Sequence, residues 1–161
     1  MVNKYNLVGK QVFFGETAIN LDAKGRLAIP IRYRESLVVQ CQNRLVLTYS
    51  AFDTGSLWLQ PEKTWESVRD DVMALPSFNP AHRTLQRRLV GSATALEPDG
   101  NGRILLPPSL RQATVMEKRV IMLGMGNRFE IWNEDTFIAK REEEESSLDE
   151  QTSEEMARLV L

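Results

Sequence analysis

A thirteen-residue segment of this chain recurs with five identities. AINLDAKGRLAIP (residues 18–30) returns as ALEPDGNGRILLP (residues 95–107), aligned without a gap at an offset of 77. Ala18 matches Ala95, Asp22 matches Asp99, Gly25 matches Gly102, Arg26 matches Arg103 and Pro30 matches Pro107, with apolar residues kept at Leu27/Ile104 and Ile29/Leu106. Further on, LWLQPEKTW (57–65) matches FEIWNEDTF (129–137) at an offset of 72, so the second copy has lost about five residues of connection. A repeat of this kind restricts the fold more than any composition figure, because each copy must be the same small unit, and the length leaves room for one compact domain or two small ones.

Within each copy, an alternating strand ends at the Asp, a short polar turn containing Gly follows, and an apolar strand runs to the Pro. This is the pattern of a β-hairpin, with Lys24-Gly25 and Asn101-Gly102 at turn positions that favour positive φ. Asp22 and Asp99 open the turns, where a carboxylate can accept backbone N–H groups, and an Asp–Arg pair across the strands is expected. Further strands are predicted at LVLTY (45–49), SLWLQ (56–60), RVIML (119–123) and RFEIW (128–132). A helix is predicted from Pro61 to Leu75, with Trp65, Val68, Val72 and Leu75 on one face. A second starts at the cap Asn79, places Ala81, Leu85 and Leu89 at spacing four with Arg83, Arg87 and Arg88 on the outer face, and stops at Gly91. A third is capped by Asn133 and turns Phe137 and Ile138 inward. The expected class is α+β, mainly β with short helices, built from two related modules.

The 161 residues include 20 Lys plus Arg and 22 Asp plus Glu, a formal charge of -2 that argues at first against an acidic partner. The distribution reverses that inference. From Glu142 onward there are eight acids and one base, so this tail carries -7 and residues 1–141 carry +5. A basic body can bind polyanions whatever the charge of the whole chain, and the acidic tail is expected to be a solvated end.

Other function classes are poorly supplied. No run approaches the roughly 18 apolar residues of a membrane span and the N-terminus lacks a secretion signal, so a cytoplasmic protein is expected. Cys41 is the only cysteine, which excludes an intramolecular disulfide, and with His82 alone it cannot assemble a zinc site. His82 is expected to be solvated or locally hydrogen-bonded, and Cys41 to be inert. DGNGR superficially suggests a calcium loop, but Arg103 stands where an oxygen ligand is needed and Leu110 where the final acid belongs. No phosphate-binding glycine motif is present, no cofactor is expected, and no set of acid, base and nucleophile suggests an enzyme.

Nucleic-acid binding needs only donors on a protruding element. A β-ribbon fits the major groove, where Arg bonds guanine in a bidentate fashion and Lys meets guanine or phosphate. Lys24, Arg26 and Arg103 are the leading candidates, with Asn101 as a donor to phosphate or adenine. A structural turn with a surface ion pair is the plainer reading of a single Asp-x-x-x-Arg. Its duplication on a basic body favours a binding role.

The segments FFGETAINLDAKGRLAIPIRYR, LWLQPEKTW, LQRRLVGSATALEPDGNGRILLPPSLR and GMGNRFEIW, spread in order from Phe13 to Phe137, resemble the MraZ family. The resemblance implies two tandem AbrB-like swapped-hairpin modules, each a double-split β-barrel unit, related by an internal pseudo-twofold repeat. On this reading residues 1–11 are an N-terminal extension, 12–75 the first module, 76–93 a linking helix, 94–141 the second module and 142–161 the acidic tail. It implies a transcriptional regulator, mostly a repressor, that binds direct repeats in double-stranded DNA upstream of the division and cell-wall gene cluster containing its own gene. A ring-shaped homo-oligomer, associated with the nucleoid and not with membrane, is also implied. The family's Asp-x-x-x-Arg motif falls on Asp22, Lys24 and Arg26 in the first copy and on Asp99 and Arg103 in the second, where Asn101 replaces the Lys. The alternative class is an oligomeric interaction scaffold or an antitoxin-like partner binder.

Overall fold

The computed structural model describes residues 12–161; the expected N-terminal extension, residues 1–11, lies outside the described residues. The first copy supplies β1 (Phe13–Asn20), β2 (Arg26–Ala28), α1 (Ile31–Cys41), β3 (Leu45–Tyr49), β4 (Ser56–Pro61) and α2 (Glu62–Met73). After α3 (Pro80–Gln86) and one wide π-type turn (Arg87–Gly91), the second supplies β5 (Thr94–Leu96), β6 (Arg103–Leu105), α4 (Pro108–Ala113), β7 (Arg119–Gly126), β8 (Phe129–Asn133) and α5 (Glu134–Ser146). A short α6 (Glu154–Ala157) ends the order.

The two copies exchange strands. The main sheet runs β1-β7-β8-β4-β3-β5, antiparallel throughout and open, with β1 and β5 at its edges. The first strand of each copy thus pairs with the other copy: β1 with β7, and β5 with β3. The second strands pair with each other as a separate ribbon, Arg26 opposite Leu105, Leu27 opposite Ile104 and Ala28 opposite Arg103. This corrects the expected hairpin, since β1 and β2 are not ladder partners. A local apolar alternation says that a segment is a strand; it does not choose the partner.

The exchange gives the molecule one core. Leu27, Ile29, Leu37, Leu45, Leu47, Leu57 and Leu59 of the first copy and Ile104, Leu106, Leu110, Met116, Val120, Met122, Phe129 and Ile131 of the second are buried in a single cluster. The ribbon and α1 cover one face of the sheet, with Tyr33 of α1 packed edge-on against Phe129 and its hydroxyl donating to the Phe14 carbonyl at 2.5 Å. On a second cluster Trp58 and Val72 meet Leu89, and the Trp65 indole N–H donates to the Leu89 carbonyl at 2.9 Å. Ile121, Trp132 and Phe137 form the corresponding cluster under α5.

Helix outweighs strand among the described residues, which corrects the weighting of the α+β expectation. Both added helices follow the repeated prolines: Pro30 precedes α1 and Pro107 precedes α4, each with the same extended backbone, φ -53 and -55. The expected helix at Asn79 forms with its cap, the Asn79 side chain accepting from the Ala81 N–H at 2.9 Å. Its wide last turn, closed by the Ser92 N–H on the Arg87 carbonyl at 2.9 Å, advances the face by a residue. Arg88, expected outside, is turned inward and donates twice to the Ser50 carbonyl, at 3.0 and 2.9 Å. In α5 Phe137 is buried as expected but Ile138 is half exposed, and the helix carries Glu142 to Glu145 before ending at Ser146.

Candidate nucleic-acid interface

The ribbon alternates strictly. Leu27 and Ile104 are 0% and 1% exposed on its inner side, while Arg26, Ala28, Arg103 and Leu105 take the outer side. Its hydrogen bonding continues beyond the strands, the Ile29 N–H donating to the Gly102 carbonyl at 2.8 Å and the Leu106 N–H to the Gly25 carbonyl at 3.1 Å. Because the strands are antiparallel, the turns 22–25 and 99–102 sit at opposite ends, and Arg26 and Arg103 stand diagonally on one outward face.

Each turn is built around its aspartate. The Gly25 N–H closes on the Asp22 carbonyl at 3.0 Å, while Asp22 Oδ1 accepts from the N–H groups of Lys24 and Arg26 at 3.0 and 2.8 Å. The second turn repeats this with Gly102 on Asp99 at 2.9 Å, and with Asn101 and Arg103 both donating to Asp99 Oδ1 at 2.9 Å. Gly25 and Gly102 hold φ of 79 and 73, the left-handed conformation that favours glycine, whereas neither Lys24 nor Asn101 has the positive φ expected for it. The accepted Arg26 N–H is the main cause of a lowered Asp22 pKa, against the opposing effect of burial. For Asp99 the Arg103 N–H is foremost, and the Asn101 N–H and the Arg103 and Arg26 guanidiniums add to it.

The carboxylates also aim the arginines. Arg26 Nε lies 2.6 Å from Asp22 Oδ2 and Arg103 Nε 3.4 Å from Asp99 Oδ2. This is the expected Asp–Arg pair, made within the turn instead of across a hairpin. In Arg26 it engages Nε in a hydrogen bond, whereas Arg103 Nε is buried and makes only the longer ion pair, and both Nη groups of each arginine are without a hydrogen bond among the described residues. Lys24 and the side chain of Asn101 are exposed at the two tips. The six residues singled out from the sequence therefore fall into two roles: Asp22 and Asp99 lock turns, and Lys24, Arg26, Asn101 and Arg103 present donors.

Two arginines escaped the sequence reading. Arg34 of α1 and Arg111 of α4 are related by the same offset of 77, so extending the repeat past its prolines would have found them. Each packs on the opposite copy's turn, Arg111 on Gly25 and Arg34 on Gly102.

Elsewhere the titratable groups are dispersed. His82 Nδ1 lies 2.8 Å from the Pro76 carbonyl, and Cys41 Sγ donates to the Leu37 carbonyl at 3.1 Å with its thiol pKa raised by burial. Among the described residues, no group of three His, Cys, Asp or Glu side chains is placed to hold a metal, and no helix is long and apolar enough to cross a membrane.

Fold and site together define a class: a duplicated α+β module whose copies exchange strands around one core and present two aspartate-locked, arginine-bearing turns on a shared ribbon. A family model described as "MraZ protein, putative antitoxin-like" matches residues 12–88 and again 89–159. The chain is 54% identical over 123 residues to "Transcriptional regulator MraZ" of Stenotrophomonas maltophilia (strain R551-3), a match covering 76% of this chain and 83% of that one. The protein of the same name from Xanthomonas oryzae pv. oryzae (strain MAFF 311018) is 53% identical over the same shares, and that of Thioalkalivibrio sulfidiphilus (strain HL-EbGR7) is 47% identical over 82% of this chain and 87% of its own. This chain belongs to the MraZ family.

Proposed function

We propose that this protein is a sequence-specific DNA-binding regulator of transcription. It acts mostly as a repressor, on direct repeats upstream of the division and cell-wall gene cluster that includes its own gene. The observation that carries this reading is the placement of Arg26 and Arg103 on one outward ribbon face, each ion-paired to its own aspartate and each with Nη donors that make no hydrogen bond among the described residues. A two-stranded ribbon fits the major groove, and a guanidinium ion-paired through its Nε side can still offer its Nη edge to guanine or phosphate. The relatives named as transcriptional regulators support the same function.

One ribbon offers few contacts, so affinity is attributed to a ring-shaped homo-oligomer that engages successive repeats at once. The protein works in the cytoplasm, at the nucleoid. Titration of labelled DNA from the gene's own upstream region tests the assignment. The wild type should bind an array of repeats more tightly than one repeat, and Arg26→Ala should weaken both; equal binding by wild type and Arg26→Ala removes the site.

The wording of the matching family model favours a second reading, an antitoxin-like binder of a protein partner or an interaction scaffold. Arg26→Ala and Arg103→Ala decide between the two. Loss of DNA binding with assembly intact supports the regulator, whereas intact DNA binding with loss of assembly supports the scaffold.

A further inference from the structure

The two turns hold little net charge of their own. Lys24, Arg26 and Arg103 are three cations, and Asp22 and Asp99 offset two of them. The helices that follow the repeated prolines bring two more cations to the same places, in exchange. The Arg111 guanidinium lies against Gly25, with Cζ 2.7 Å and Nε 3.1 Å from the point a Cβ there would occupy, and Arg34 lies against Gly102 with Cζ at 2.6 Å. Gly25 stands between Lys24 and Arg26 in the chain, so Arg111 joins these two at one turn.

The two exchanged arginines are not equivalent. Arg34 Nε donates to the Ile29 carbonyl at 2.9 Å, which commits part of its guanidinium to the fold. The Arg111 side chain makes no hydrogen bond among the described residues, and it is only partly buried. A guanidinium offers five N–H donors, and one that makes no hydrogen bond among the described residues has donors left for an anion. The first turn brings together three cations and a single carboxylate, Asp22, which already accepts from the Lys24 and Arg26 backbone N–H groups and from Arg26 Nε. At the second, Asn101 is neutral and Arg34 is engaged.

We infer that Lys24, Arg26 and Arg111 form a composite phosphodiester-binding site, its third cation supplied by the second copy to the turn of the first. The inference rests on the reading that the turns face DNA. It makes the first turn the stronger anchor, and it gives Arg111 a larger share of binding than Arg34, although Arg34 is the one carried by the same copy as Lys24 and Arg26.

The test is titration of the whole chain with a labelled duplex of its upstream repeats over a range of salt concentrations. Each neutralised phosphate contributes about 0.9 to the log–log slope. Arg111→Gln should lower the slope by about that amount and weaken binding roughly tenfold, as loss of one charge-assisted hydrogen bond does. Arg111→Lys keeps the charge and should keep the slope, and Arg34→Gln should leave it unchanged. Thermal melting of each variant shows that it is folded. An unchanged slope for Arg111→Gln beside a lowered one for Arg26→Ala overturns the composite site, as does a lowered slope for a normally melting Arg111→Lys. If Arg26→Ala also leaves binding and slope unchanged, the assignment of the turns to DNA fails instead.

Discussion

Replacing Gly25 by alanine separates backbone strain from side-chain crowding at the first turn. The residue sits at φ 79, and an added Cβ would stand 2.7 Å from Arg111 Cζ, where carbon atoms ordinarily rest about 3.5–4 Å apart. The arginine must then withdraw by about 1 Å. That movement is cheap because the guanidinium is the free end of a flexible chain, so the main cost is the left-handed backbone, about 1–2 kcal/mol. For a chain of this size such a loss lowers Tm by about 2–8 °C. Gly102→Ala meets the same backbone cost at φ 73, but there Arg34 cannot withdraw without loosening its bond to the Ile29 carbonyl, which adds about 0.5–1.5 kcal/mol. Gly100 has no neighbour within 4 Å of an added Cβ and no positive φ, so Gly100→Ala should stay within about 0.5 kcal/mol of wild type. Thermal melting followed by circular dichroism should therefore rank Gly102→Ala below Gly25→Ala and both below Gly100→Ala. A Gly25→Ala protein melting with Gly100→Ala would refute the argument from turn geometry.

Leu27→Ala and Ile104→Ala each empty a site in the shared core and should each cost about 2–5 kcal/mol in urea unfolding, with the transition remaining single; two separated transitions would mean that the copies fold independently. Arg88→Ala removes two bonds to the Ser50 carbonyl and a stack 4.9 Å above the Tyr49 ring, and should cost about 1.5–3 kcal/mol, whereas Arg87→Ala, at an exposed position, should be nearly neutral. Equal melting of the two arginine variants would contradict the inward turn of Arg88. Burial raises the Glu130 pKa, so its charged form disfavours the fold at neutral pH and the penalty falls as pH drops through the folded pKa. Glu130→Gln should then melt above wild type at pH 7, with the gap narrowing on acidification; a gap that widens would be inconsistent with that sign. Asp22 and Asp99, whose pKa values are lowered, work in the opposite direction, and their stabilisation is lost as pH falls below the usual carboxylate range.

The repeat made the turns legible from sequence, because an Asp, a Gly and an Arg at fixed spacing have a local mechanism that needs no tertiary partner. Strands β3 and β4 were legible for the same reason, being apolar runs bounded by polar segments. What the sequence did not reveal was pairing and two helices. In α1 the exposed Ile31, Val38 and Val39 are β-branched and blur the helical stripe, which reduces to Tyr33, Ser36 and Leu37. In α4 six residues are too few to show a period. These two helices carry Arg34 and Arg111, so the part of the site that was missed is the part that depends on exchange between the copies.

The exchange also bears on the kind of DNA sequence such a protein can read. A true twofold dimer presents two identical elements and matches a palindrome. Here the twofold runs through the Leu27–Ile104 pair of one chain, and covalent duplication has let the two ends of the ribbon differ. One end carries Lys24 and an uncommitted Arg111; the other carries Asn101 and an engaged Arg34. The ribbon therefore has a direction, and a ring of such ribbons would present that direction repeatedly with one sense. This is the geometry that direct repeats satisfy and inverted repeats do not. In a labelled array of upstream repeats, inverting every second repeat should weaken binding toward the level of an array with half as many sites. Undiminished binding to the alternating array would show that the two ends of the ribbon are read alike.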